Sequence, residues 1–268
     1  MIKWIGNISG KGLFEMNEIE VAAYSGEKKK LSIMRKNYIA RLIGRCLVLA
    51  LGIAMYMWKP QEFEIINGWN FFSRFSVLHL LWGVWMMDML FQLIPMKGVV
   101  PLGSQKLFEK RFVPVKGRLD ETKLREHIAK DTKKAYQIFL VWAAMIAVLG
   151  GLRHMKIISD AILFLISIFF YVCDLICVLI WCPFRVFMQN RCCTTCRIFN
   201  WDHAMMFTPL LFVEGFYAKS LVIMAFAVWV LWEYTVMAAP ERFWDGSNAA
   251  LKCGNCTDKL CTQYCPKK

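Results

Sequence analysis

Residues 157–181 read IISDAILFLISIFFYVCDLICVLIW, and this stretch decides the fold class. Its only charged residues are Asp160 and Asp174. A helix needs about 20 predominantly apolar residues to cross the hydrocarbon core of a bilayer. The stretch therefore predicts a transmembrane helix, the fourth along the chain. Further apolar runs predict spans of the same kind at 41–58, 75–94, 136–152 and 220–238.

The composition excludes an ordinary soluble domain. Residues of the AVILMFWYC class make up 57% of the chain, which carries 11 Trp and 20 Phe, and the mean hydropathy is +0.41. A soluble protein would need partners to cover that much apolar surface, whereas lipid covers it in a membrane protein. The chain is therefore expected to be an all-α integral membrane protein, a bundle of about five transmembrane helices in a lipid bilayer.

The basic residues that give the chain its formal net charge of +13 lie mainly in the connecting segments. Lys and Arg between apolar runs fix membrane topology and attract anionic lipid, so no nucleic-acid partner is expected. Because the amino-terminal arm and the 97–134 segment are basic, the positive-inside rule predicts a multi-pass protein of the cell inner (plasma) membrane with a cytoplasmic amino terminus.

Five segments are predicted along the chain. They are a basic cytoplasmic arm at 1–40, a four-helix membrane region at 41–181, a Cys-rich loop at 182–203, the last membrane segments at 204–239 and a Cys-rich metal-binding tail at 240–268. The membrane region includes a cytoplasmic insertion at 97–134. Because the second half of this insertion has the charge spacing of a helix, we expect an amphipathic surface helix there.

The number of crossings depends on residues 203–219. Pro209, Glu214, Gly215 and Lys219 interrupt the apolar pattern here. One alternative is a long tilted helix that starts near Thr208, and the other is a re-entrant segment before the last span. Five crossings would place the tail opposite the Cys-rich loop. A metal site that uses cysteines from both the tail and the Cys-rich loop would require a sixth passage.

The carboxy-terminal cysteines form the stronger of two candidate metal sets. Cys253, Cys256, Cys261 and Cys265 lie in CGNCTDKLCTQYCP. A Cys-x2-Cys pair grips one metal centre from a tight turn, and four thiolates complete an iron–sulfur or zinc site. The pattern resembles the ferredoxin run Cys-x2-Cys-x2-Cys-x3-Cys-Pro, with two extra residues before Cys261.

The second set lies directly after the fourth span. It consists of Cys182, Cys192, Cys193 and Cys196, among Arg185, Arg191 and Arg197. These arginines are expected to lower the thiol pKa values. Asp202 and His203 are further candidate ligands. Cys46, Cys173 and Cys177 lie within spans, where packing is the expected role.

A family resemblance follows from these residues. The step from the fourth span into Cys177-x4-Cys182-Pro183-Phe184 resembles the Cys-x3-Cys-Pro motif of bacterial membrane-bound, ferredoxin-type quinol dehydrogenase components. The resemblance covers residues 173–196 and 253–266, and it implies about four or five helices that carry ferredoxin-type clusters and oxidise quinol. The block 192–210 is also similar to a bacterial membrane family that implies no mechanism.

Ionisable groups inside the predicted spans are the remaining candidates. Burying a charge in lipid is costly, so such groups mark proton or ion paths unless they pair with each other or reach the interface. A membrane proton or ion path is therefore predicted along Asp88, Asp174, Glu214 and Lys219.

These features predict a membrane electron-transfer protein, a subunit of an oxidoreductase. One or two iron–sulfur clusters, most readily 4Fe-4S, would pass electrons between a soluble donor and a quinone or partner membrane subunit. The alternative is a non-enzymatic scaffold, assembly factor or transporter subunit with structural zinc. Thiol redox chemistry near Cys192 and Cys193 is a third hypothesis.

Overall fold

The computed structural model describes residues 32–95, 100–117, 119–190, 192–256, 258 and 260. The predicted arm up to residue 31, and the predicted ligands Cys261 and Cys265, lie outside the described residues. The described part contains no β-strand, so the expected all-α class is confirmed. Its α-helices are α1 Ile33–Trp58, α2 Val77–Gln92, α3 Leu102–Gln105, α4 Glu121–His154, α5 Asp160–Leu179, α6 Phe184–Met188, α7 Asp202–Phe207 and α8 Phe216–Ala238.

Four of the helices, α1, α4, α5 and α8, are long and apolar enough to cross a membrane. The predicted span at 75–94 is the shorter apolar helix α2, which has 16 residues. At 1.5 Å per residue α2 is about 24 Å long, close to the thickness of the hydrocarbon core.

Polar caps fix where these helices begin. The side chains of Ser32, Ser76, Asp120 and Ser159 accept hydrogen bonds from backbone N–H groups of the first turns of α1, α2, α4 and α5. Such caps satisfy donors that have no partner within the helix. His79 completes a capping box with Ser76, so it belongs to the start of α2.

The charged half of the 97–134 insertion does not form a separate surface helix. Helix α4 runs without a break through 34 residues from Glu121 to His154 and joins this half to the third span. Its length of about 51 Å exceeds the thickness of a membrane. The charged first turns therefore extend beyond the apolar part of the bundle, and residues 100–117 lie against them as a compact segment.

A broken passage precedes α8. Helix α7 continues into a 3-10 segment at Thr208–Phe212, and the chain then reaches Gly215. The helical parts cover about 19 Å and the following three residues add about 10 Å.

Contacts along the broken passage show that it crosses the bundle. His203 lies 3.0 Å from the Gln92 amide at the end of α2. Thr208 accepts a hydrogen bond from Trp142 in the middle of α4. Gly215 pairs with Gly68, in the connection between α1 and α2.

The bundle therefore has six passages and two distinct ends. One end, the cysteine end, holds the first turn of α1, the last turn of α2, the 182–201 loop and the segment after α8. The other end, the opposite end, holds the 59–76 connection, the Arg153–Asp160 ion pair and Gly215. The described cysteines of both sets lie at the cysteine end, which a single site built from the two sets would require.

Aromatic side chains fill the centre of the bundle. Trp85, Phe164 and Tyr217 are almost completely buried. The Phe164 ring centroid lies 5.7 Å from Trp85 and 5.6 Å from Tyr217, and the Tyr217 hydroxyl donates to the Leu78 carbonyl. This packing joins α2, α5 and α8 into one core.

Candidate functional site

A cavity of about 270 Å³ lies at the cysteine end, where α5 gives way to the 182–201 loop. Five thiols line it together with aromatic and methionine side chains. The thiols belong to Cys173, Cys177, Cys182, Cys193 and Cys196. The structure brings Cys182, Cys193 and Cys196, three of the four cysteines of the second predicted set, to one cavity together with Cys173 and Cys177.

The end of α5 brings two of these sulfurs into contact. The Ile180 N–H bonds to the Ile176 carbonyl as in a regular α-helix, and the Trp181 N–H bonds to the same carbonyl, five residues back, where α5 ends. Pro183 then prevents a regular continuation of the helix. The chain folds back, and the Cys177 thiol donates a hydrogen bond to the Cys182 sulfur.

The surroundings of Cys182 favour its thiolate. The hydrogen bond from Cys177, supported by the backbone N–H groups of Phe184 and Arg185 and by the Arg185 guanidinium, lowers the pKa of Cys182 to about 7 against the opposing effect of burial. A lowered pKa favours the thiolate, which is the nucleophilic form of cysteine.

The thiols of Cys193 and Cys196, which also line the cavity, have raised rather than lowered pKa values. Burial raises the pKa of Cys193 to about 12 and that of Cys196 to about 11. The expectation that nearby arginines lower these pKa values is wrong for this pair. The Arg197 guanidinium instead forms a bidentate ion pair with Glu233, with N–O distances of 2.9 and 2.6 Å. Burial therefore dominates.

Cys192 is not one of the residues that line the cavity. Its sulfur lies 2.9 Å from the Thr194 hydroxyl. Among the residues that the structure describes, no three or more His, Cys, Asp or Glu side chains converge as a metal site requires. The metal assignment of the second set thus remains a prediction, and the described thiols do not by themselves fit a metal ion.

The first half of the carboxy-terminal set occupies a tight turn. Cys253 begins a 3-10 turn at Cys253–Asn255, and the Cys256 N–H closes it on the Cys253 carbonyl at 3.2 Å. Cys253 is exposed and Cys256 is partly exposed. The Cys-x2-Cys spacing of this turn is that of ferredoxin-like runs, and its predicted partners Cys261 and Cys265 lie outside the described residues.

The segment 100–117 joins the tail to the Cys-rich loop. On one side, Lys106 donates to the Cys196 carbonyl at 3.2 Å. On the other side, Arg242 donates to the Leu107 carbonyl, and Asp258 accepts from the Leu102 N–H at 2.6 Å. The described cysteines of the two sets therefore share one end of the bundle, and ordinary hydrogen bonds connect their supporting segments.

Lys106 is a charged residue that the sequence pattern does not single out. Its side chain is buried, and its ammonium lies 5.3 Å and 5.6 Å from the ring centroids of Trp232 and Phe243. Burial lowers its pKa to about 8, against the raising effect of the Cys196 and Cys192 thiols. Only its position between Leu102 and Phe108, outside the apolar runs, is visible in the sequence.

A buried ion cluster adjoins the cavity. Arg45 bonds Asp174 at 2.6 Å and lies 3.6 Å from Asp88. His203 contacts Asp88 at 3.4 Å and Asp202 at 3.2 Å. Asp174 and Asp202 line both the cysteine cavity and a smaller polar cavity of about 60 Å³. The cluster forms the wall between these two spaces.

The predicted proton or ion path is divided by the structure. Asp88 and Asp174 meet through Arg45, whereas Glu214 and Lys219 pair at 3.2 Å at the opposite end of the bundle. The Glu214 side chain is 87% exposed, so the second pair is not part of the buried cluster. Sequence reasoning missed Arg45, although an arginine inside the first apolar run is the same kind of signal as a buried aspartate.

A groove of about 790 Å³ separates α1 from α2. Apolar side chains such as Val48, Leu51 and Val84 line most of it, and Arg45 and Asp88 also line it. The groove therefore connects an apolar side of the bundle with the buried ion cluster.

Comparison of the chain with models of known families, with characterised proteins and with solved structures finds no match. The functional conclusions rest on the geometry of this chain.

Proposed function

We propose that the protein is a membrane electron-transfer protein, an oxidoreductase subunit of the plasma membrane with its cysteine end in the cytoplasm. The observation that carries the proposal is the position of the described cysteines of both sets at one end of a bundle in which the described residues make six passages, beside a buried ion cluster. The basic insertion and arm favour the cytoplasmic side for that end.

An iron–sulfur cluster, most readily 4Fe-4S, would be held by Cys253 and Cys256 together with Cys261 and Cys265. Such a cluster supplies one-electron transfer between partners. The 3-10 turn at Cys253–Asn255 supports this assignment, since it presents two sulfurs at the surface in the spacing that ferredoxin-like runs use. Lys252 directly precedes Cys253 and places positive charge next to a thiolate-rich centre.

The groove between α1 and α2 is the proposed place of an electron acceptor with a quinone head and an isoprenoid tail. Its apolar walls suit the tail. The Arg45 guanidinium offers a donor, and the Asp88 carboxylate, 30% exposed, offers an acceptor at the polar end. Because Arg45 is neutralised by Asp88 and Asp174, a neutral head group suits the site better than a phosphate does.

A soluble donor would approach the cysteine end. The first four turns of α4 carry exposed basic side chains there, which favour an acidic partner. They are Lys123, Arg125, Lys130 and Lys133.

The test is metal analysis and electron paramagnetic resonance on protein purified without oxygen. We expect a brown protein with iron and acid-labile sulfide, and a resonance that appears on reduction. Cys253→Ser and Cys256→Ser should each remove or alter this signal. Cys46→Ser, at an exposed position of α1, is the matched control and should retain it.

A structural zinc protein, acting as a scaffold, assembly factor or transporter subunit, is the second candidate. The clamp of segment 100–117 between the tail and the Cys-rich loop favours it, because a metal there would reinforce an existing contact. Colourless protein that contains zinc without iron or sulfide would support this candidate and would contradict electron transfer by an iron–sulfur cluster.

A further inference from the structure

The contact between Cys177 and Cys182 has a chemical consequence that is separate from the proposed cluster. In an uninterrupted helix, residues five apart are rotated by about 140° and separated by about 7.5 Å along the axis, so their side chains do not meet. The end of α5, where the Trp181 N–H bonds to the Ile176 carbonyl, and the turn at Pro183 bring these two sulfurs together.

The contact lies on the wall of an apolar cavity. Trp142, Phe169, Phe170 and Met206 line the space that Cys177 and Cys182 face. The cavity volume of about 270 Å³ suits a small organic molecule. Within the described part of the chain the surrounding acidic, histidine and cysteine side chains form no group that could hold a metal ion.

We propose that Cys177 and Cys182 are a redox-active dithiol that exchanges with the disulfide of a small apolar molecule bound in this cavity. The proposal goes beyond electron transfer by a cluster and does not depend on it, because the cluster is assigned to the other cysteine set. It also places thiol redox chemistry at a different pair from the adjacent Cys192 and Cys193.

The exchange proceeds in two balanced steps. The Cys182 thiolate attacks one sulfur of the substrate disulfide, whose S–S bond breaks, and the leaving thiolate takes up a proton. Cys177 then loses its proton, for which the Asp174 carboxylate, which lines the same cavity, is a candidate acceptor. Its sulfur attacks Cys182, closes the intramolecular disulfide and releases the second thiolate, which is also protonated. Two electrons pass from the protein to the substrate, and no further reagent is consumed.

The roles of the two cysteines follow from their positions. Cys182 accepts a hydrogen bond from Cys177 and lies beyond the end of α5. Cys177 is fixed on the last turns of α5 and is already next to the sulfur that it must attack. Cys173 lies one helical turn before Cys177 and lines the same cavity, which makes it a matched control.

The experiment uses the full chain in lipid nanodiscs and 2,2′-dipyridyl disulfide, an apolar aromatic disulfide. After reaction, remaining thiols are alkylated and each cysteine is assigned by peptide mass spectrometry. The wild-type protein should yield a Cys177–Cys182 disulfide that dithiothreitol reverses. Cys177→Ser should instead trap a stable pyridyl adduct on Cys182, and Cys173→Ser should behave as the wild type does.

Three results would overturn the proposal. The first is a stable adduct on Cys182 in the wild-type protein, because it would mean that Cys177 does not resolve it. The second is a disulfide between Cys182 and Cys193 or Cys196. The third is a Cys182 that stays unreactive until a stoichiometric metal is removed. If a variant fails to fold, the wild-type measurement alone decides among these outcomes. Loss of the cluster signal in Cys253→Ser would not affect the outcome at Cys177 and Cys182.

Discussion

Identical side chains acquire different chemistry at the cysteine end because their immediate surroundings differ. Cys182 receives hydrogen bonds, and its pKa falls to about 7. Burial raises the pKa of the partly buried Cys193 to about 12 and that of the buried Cys196 to about 11. The nearby arginines in the sequence suggested one behaviour for all of them. The outcome depends instead on which donor points at which sulfur, since Arg197 is engaged by Glu233.

Lys106 gives a prediction about pH at the residue scale. Its pKa is about 8 in the folded protein, against an ordinary value of 10.5. Between these values the unfolded chain binds more protons, so the free energy of unfolding should rise with pH by up to about 3 kcal/mol. We expect Lys106→Met to remove this contribution in thermal unfolding measured from pH 8 to 10.5.

The exposed Lys110 provides the control for this measurement. Lys110→Met should keep the pH dependence of the wild-type protein. An unchanged pH dependence in Lys106→Met would show that the buried ammonium is not responsible.

At the scale of elements, the apolar runs predicted the long helices well. The predicted span 220–238 corresponds to Phe216–Ala238, and 157–181 corresponds to Asp160–Leu179. The passage before α8 could not be assigned in the same way because its helical pieces are too short for a hydropathy signal. The continuity of α4 was also missed, since its charged first half suggested a surface helix of its own.

Gly215 tests the broken passage directly. A Cβ atom added there would lie 2.1 Å from the Ile66 carbonyl oxygen and 2.9 Å from the Gly68 nitrogen, which are backbone atoms that cannot turn aside. Gly215→Ala should therefore separate this end of the passage from the 59–76 connection and lower the free energy of unfolding by about 1–3 kcal/mol.

The control for Gly215 is Gly83→Ala in α2, where an added Cβ meets no atom within 4 Å. It should leave the thermal midpoint of the detergent-solubilised protein unchanged or slightly raised. Equal midpoints for the two variants would mean that the close approach at Gly215 does not exist.

At the scale of the whole molecule, whether the number of passages is odd or even decides whether the two cysteine sets lie at the same end of the bundle. With six passages the described parts of both sets lie at one end, and segment 100–117 bridges them. From the sequence, this arrangement followed only as a condition: a site built from both cysteine sets would need six passages. The partners of the ion cluster, such as Arg45 with Asp174, could not be paired from sequence because they lie on helices far apart in the chain.

The side of the membrane on which each end lies is the most direct test of the account. Cysteines introduced by Lys133→Cys on α4, Lys252→Cys beside Cys253 and Ser73→Cys at the opposite end all replace exposed residues. Each variant is treated with a membrane-impermeant maleimide in right-side-out and inverted vesicles, and labelled peptides are identified by mass spectrometry. The six-passage bundle predicts that the cysteines introduced by Lys133→Cys and Lys252→Cys are labelled only in inverted vesicles, and the one introduced by Ser73→Cys only in right-side-out vesicles. Labelling of the Lys252→Cys variant from the same side as the Ser73→Cys variant would contradict it.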